Sequence, residues 1–247
     1  MRLHRLTSTT LLVALSVATG FATYKVRAAV HPSVSEHLDT ARVQSQLGND
    51  NEAGGYAQSM LMGPKIHVHL NYGDAVQLED CDRAVAGAFD MWETALGHQI
   101  HFELVDTPKE AEVEVTFGKN VKLKGQIVSG YINWSRSIST TTGEVKPLFS
   151  ADVKLRTTDP KGRPLSFEAM RHTFGHELGH MFGLDDVKQI GKLMGPLDLR
   201  RPVSKPDESE IETVLAIRDE CKSIIAKRGK GTHAQFFSGS CSCHHDH

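Results

Sequence analysis

The run SFEAMRHTFGHELGHMFG, from Ser166 to Gly183, carries both a helical period and a set of metal-seeking side chains. Ser166 is placed to cap a helix, and Phe167, Met170, Phe174, Leu178 and Met181 recur at steps of three and four, which buries one face. His176 and His180 stand four apart, so both imidazoles project from the same side of adjacent turns and can clasp one ion. Glu177 lies beside them as a carboxylate near the ion rather than on it. The arrangement is HExxH. Gly183 tolerates positive φ, ends the helix and turns the chain back, which lets a residue a few places on supply a third ligand.

Beyond Gly183 come Leu184, Asp185 and Asp186, and eight residues after Asp186 stands Met194 in the run Leu193-Met194-Gly195-Pro196. This pattern resembles the metzincin signature HExxHxxGxxH followed by a Met-turn, with Asp186 in place of the last histidine. The second run is similar to the matrixin Met-turn, which makes Met194 an apolar floor under the ligands. Three further pieces resemble the matrixin catalytic domain in the right order. Ile66 to Trp92 is similar to its first strand and first helix, Glu110 to Phe117 to its third strand, and Asp207 to Lys227 to its closing helix.

The resemblance implies an α+β domain with a twisted, mostly parallel five-stranded sheet, an antiparallel edge strand and three main helices. It implies one catalytic zinc held by His176, His180 and Asp186, with Glu177 as general base and a protein or peptide as substrate. Two histidines and a carboxylate are a known catalytic set, and aspartate at this place is similar to the snapalysin type. Asp185 is the rival ligand; the family spacing favours Asp186. His172, one turn before His176, is expected to be exposed or hydrogen-bonded rather than on the metal. Several family features are missing. There is no Pro-Arg-Cys-Gly latency motif, and Gly118 to Gly125 lacks the His and Asp ligands of a structural zinc. The wall segment after the Met-turn reads Pro196-Leu197-Asp198, so pocket preference does not carry over, and the sequence decides neither for nor against calcium.

Elsewhere the chain is read by pattern. Lys65 to Asn71 alternates with Ile66, Val68 and Leu70 on one face and His67 and His69 on the other, a half-buried strand on which the histidines are expected as ordinary exposed positions. A helix is predicted at about 76–96. Strands follow around Ile100 to Leu104, Val113 to Phe117, Gln126 to Asn133 and Ser150 to Arg156, with a Thr-rich loop containing Gly143 between the last two. The domains are expected as a signal peptide over 1–28, a polar linker over 29–63, the peptidase-like domain over 64–228, and a flexible His/Cys-rich tail over 229–247. The signal peptide rests on a basic start (Arg2, His4, Arg5) and an apolar stretch from Leu11 to Ala22, too short for a comfortable span. Export makes disulfides permissible, and Cys81 and Cys221 are the pair inside the folded region. The tail's Cys241, Cys243, His244, His245 and His247 form a cluster able to hold zinc, copper or nickel, or else a plain flexible end.

The 247 residues contain 28 Lys plus Arg against 30 Asp plus Glu, a formal charge of -2. No field of one sign marks nucleic acid or an anionic membrane as partner. Fourteen histidines make metal the first chemistry to test. The function expected is therefore an exported zinc-dependent endopeptidase with no stable membrane span in its mature form. The rival is a metal-binding or adhesion module that keeps the fold without hydrolysis, and the intact Glu177 argues against it, since a pure binder needs no base.

Overall fold

A computed structural model of the chain describes residues 28–141 and 144–237. In chain order its elements are α1 (Pro32–Gln46), α2 (Asp50–Leu61), β1 (Lys65–Asn71), α3 (Leu78–Ala95), β2 (His101–Leu104), β3 (Val113–Gly118), the short β4 (Lys122–Leu123) and β5 (Gln126–Ile127), β6 (Gly130–Thr141), β7 (Glu144–Arg156), α4 (Phe167–Met181) and α5 (Glu208–Phe237). The main sheet has the order β2-β1-β3-β7-β6. Its first three pairings are parallel and β6 joins β7 antiparallel at the edge, which is the sheet the sequence implies. Five helices are described where three were expected.

One face of the sheet is buried. Ile66, Val68, Val113, Val115, Phe117, Val153 and Leu155 point into a core closed by α3 and α4. The alternation in β1 and β3 is the period-two signature of strands with one covered face. Trp92 of α3 is fully buried and donates its indole N–H to the Gly175 carbonyl of α4 at 2.8 Å. That bond fixes the register between the two helices and satisfies the indole inside the core.

The expected polar linker over 29–63 is instead two helices. Val34, Leu38 and Ala41 of α1 and Ala53, Ala57 and Met60 of α2 form a second core with Ile217, Cys221 and Ile224 of α5. The stripe is narrow and made largely of alanine, so it leaves a weak helical period. Gly54 and Gly55, which read as breakers, are buried contact points. A Cβ on Gly55 would lie 2.3 Å from Val145 Cγ1, so the missing side chain is what lets α2 lie on the β6–β7 hairpin.

That hairpin is the second correction. The Thr-rich stretch expected as a loop continues both strands, with pairs running from Gly130↔Leu155 to Thr141↔Glu144. Its outer half is too polar to read as a core strand, because what covers it is α2 rather than the main core. Cys81 and Cys221 are both buried and free, one in each core. Burial pushes their thiols up to about 11 and about 12. The helix α5 continues by backbone to Phe237, into the segment expected as tail. The metal-seeking end of that tail and the expected signal peptide, except Ala28, lie outside the described residues. No helix among the described residues is long and apolar enough to cross a membrane.

Candidate metal centre

Helix α4 begins where Ser166 accepts a hydrogen bond from the Ala169 N–H, and it ends at Gly183, whose φ is +102°. A side chain there would be strained by the backbone and would also press Val34 and Ile217, each 3.0 Å from an added Cβ. The reversal returns the chain past the helix, and the loop after it carries Asp185 and Asp186.

His176 donates its Nδ1–H to the Leu193 carbonyl and His180 donates its own to the Leu184 carbonyl, both at 2.9 Å. A carbonyl can only accept, so each proton sits on Nδ1 and each Nε2 presents a lone pair. Those two Nε2 atoms lie 3.2 and 3.5 Å from Asp186 Oδ1. Three acceptors thus face one another, an arrangement that repels unless a cation lies among them. All three ligand atoms fall within 4.8 Å of each other. Zinc with ligands at about 2.0–2.2 Å in tetrahedral geometry needs them roughly 3.3–3.6 Å apart, which the two distances to Asp186 match, and the donor types are those zinc takes. No other group of three or more such side chains gathers among the described residues.

A proton on Nε2 can take the cation's place. Donated to Asp186 first by His176 and then by His180, it holds the Asp186 carboxyl far below the ordinary carboxylate range. His180 is disfavoured as a cation by burial, yet Asp186 and the Leu184 carbonyl outweigh this and raise it. Glu177 is 5% exposed. Burial raises its carboxyl, opposed by the charges of His176 and His180 and by a hydrogen bond from the Ile132 N–H. Asp185 faces elsewhere: its Oδ1 accepts the Asp186 N–H at 2.9 Å, and its own N–H donates to the Ala29 carbonyl.

Met194 is fully buried beneath α4. An added Cβ on Gly179 would fall 2.3 Å from its Sδ, so the helix carries glycine where the methionine floor comes closest. His172 is 1% exposed and its Nδ1 accepts the Val203 N–H at 2.7 Å, so it is the hydrogen-bonded histidine of the two forms expected. His67 and His69 are not brought to any metal group. The first faces Glu112 at 3.0 Å and the second the Val105 carbonyl.

Two contributors were missed by sequence reasoning. Glu210 and Asp207 form a capping box at the start of α5, with reciprocal bonds of 2.7 and 2.9 Å. The second oxygen of Glu210 also accepts the Met194 N–H at 2.9 Å, tying α5 to the floor of the site. The second is the segment before α1. Val30 bridges Leu184, the His31 N–H donates to the Gly183 carbonyl, and the His31 ring stands edge-on 6.1 Å from that of His180. No local signal marks either role, since both depend on contacts across most of the chain.

A cavity of about 450 Å³ opens beside His176 and Asp186, lined in part by Gly130, His172, Glu177, Lys188 and Leu197. The chain matches the family model described as matrixin over residues 66–214, more than half its length. No curated protein sequence matches it. Among solved structures, archaemetzincin from Methanopyrus kandleri is similar at 14% identity and a TM-score of 0.40, over 62% of this chain and 94% of that one.

Proposed function

The chain belongs to the matrixin family of zinc metallopeptidases, and from that premise we propose that it is an exported endopeptidase whose catalytic base is Glu177. The observation that carries this reading is the convergence of three lone pairs, from His176, His180 and Asp186, directly beside a buried carboxylate. Those three residues would hold zinc, which when bound polarises a scissile carbonyl and makes a nearby water more acidic.

Glu177 then has two tasks. Its carboxylate takes the proton of the attacking water, and the same oxygen hands it to the departing amine. Burial, which raises its proton affinity, suits a group that must hold a proton between the two events. The Ile132 N–H, on the edge strand, favours the charged form of that carboxylate. Substrate extended along β6 would receive main-chain hydrogen bonds with little demand on its sequence. The edge available for this is 130–141 rather than the shorter strand expected around Gln126 to Asn133. Export rests on the basic and apolar pattern at the chain's start, and mass analysis of the secreted protein's N-terminus checks it.

The deciding experiment is hydrolysis of a generic unfolded protein by the zinc-loaded chain, with and without chelator, beside Glu177→Gln. Turnover is expected to vanish with chelator and to fall at least about a hundredfold in the variant, whose zinc content stays unchanged. Equal activity in parent and variant removes Glu177 from the mechanism.

A further inference from the structure

The edge strand β6 fixes which of its backbone groups face open space. The Ser129 carbonyl accepts the Arg156 N–H, so odd positions face β7, whereas the Arg136 carbonyl meets His37 Nε2 at 3.1 Å on the other side. The register between the strands is unbroken. Gly130, Ile132, Trp134 and Arg136 therefore turn their N–H and C=O groups to the free edge.

Along that edge β6 tracks helix α4. Gly130 lies against Thr173, the Ile132 N–H reaches Glu177, and the Arg136 guanidinium donates to the Met181 carbonyl. The reactive groups thus sit under the rungs at Ile132 and Trp134. Toward Gly130 the groove opens into the cavity. Toward Arg136 it stops. His37 of α1 occupies the Arg136 carbonyl, and the His31 ring stands 5.4 Å from that of Trp134, between the strand and His180. This wall is fastened to the ligand loop itself, by the His31 N–H on the Gly183 carbonyl at 2.8 Å and the Asp185 N–H on the Ala29 carbonyl at 2.9 Å. All of it precedes residue 66, where the family match begins.

We infer that α1 closes one end of the substrate groove, so that the enzyme grips no more than about three residues on the N-terminal side of the bond it cuts, one opposite each of the positions of β6 between Ile132 and the blocked Arg136. The inference rests on the peptidase reading above. Direction follows from pairing: β6 runs from the cavity toward α1, and a peptide added antiparallel to it places its N-terminal part against α1. Residues further to the N-terminal side gain no contact with the groove, while the C-terminal side runs out past the open cavity.

The test is a series of peptides with one scissile sequence, extended from one to six residues on the N-terminal side, and a matching series extended on the C-terminal side. For the zinc-loaded chain, kcat/KM should climb up to about three N-terminal residues and then level off or fall, with no such stop on the other side. His37→Ala frees the Arg136 carbonyl and should add a roughly three- to tenfold gain at the fourth residue, the worth of one hydrogen bond. The same peptides, labelled at the C-terminal end, should bind Glu177→Gln protein with the same length dependence. Gains continuing through the fourth to sixth residues in the wild type, a stop on the C-terminal side alone, or a His37→Ala profile that superimposes on the wild type overturns the inference. The wild-type series decides even if His37→Ala fails to fold. If no peptide is hydrolysed at all, it is the peptidase reading that fails, and the binding series still reports on the groove.

Discussion

Asp186 turns Oδ1 toward two imidazole nitrogens, while the carboxylate of Asp185 accepts the next backbone N–H. Neighbouring residues of one chemistry thus have separate duties, set by the direction of the chain after Gly183. Asp186→Ala should therefore weaken zinc binding by more than about a hundredfold, beyond the usual effect of losing an outer partner. Asp185→Ala should keep most of the affinity, and Asp186→His should retain zinc because it restores a neutral nitrogen ligand. Competition against a chromophoric chelator compares the three side by side, and weak binding in Asp185→Ala with normal binding in Asp186→Ala reverses the assignment. The positions of His176 and His180 were legible because four-residue spacing on a helix is a local rule. Which nitrogen each presents was not, since His176 is oriented by the Leu193 carbonyl of a distant turn.

Elements meet at this site through small residues. Gly195 follows the methionine floor, and an added Cβ there would lie 2.1 Å from the Gln189 carbonyl oxygen, which is backbone and cannot rotate aside. Gly195→Ala must shift that loop and, with it, Met194 under Gly179. A stability loss of about 1–3 kcal/mol is expected, together with weaker zinc binding. Thermal unfolding of the zinc-loaded and zinc-free protein measures both, and unchanged midpoints in the two forms would show that the loop yields freely. Helix α4 and the start of α5 were legible because capping and apolar spacing agree there. The β6–β7 hairpin was not, because Ser and Thr alternate along a strand whose cover is a helix more than seventy residues earlier.

At the scale of the molecule the described residues form two cores, and the smaller joins α1 and α2 to α5. Leu38 is 5% exposed in it. Leu38→Ala should cost about 2–5 kcal/mol, as other buried leucines do, although the residue lies outside the matched region; chemical denaturation checks this, and a loss of a few tenths would make the helical pair a mere appendage. The thiols give a second probe. Cys81 and Cys221, buried in different cores, should stay unmodified in the native protein and react on unfolding, as peptide mapping by mass spectrometry would reveal. The core between sheet and helices was legible from period alone. The second was hidden because its stripe is alanine-rich and its partners are distant in sequence. That distance has a consequence in time. Ala28 meets Thr213 across 185 residues, and closing so large a loop is entropically costly and slow. A chain emerging from the ribosome can form the histidine-bearing helix early, yet it cannot tie down Met194 through Glu210 or cover α1 until its far end has been made. Maturation of the centre is therefore among the last events of folding, and a chain cut short before α5 retains the sequence motif without its fastened methionine floor.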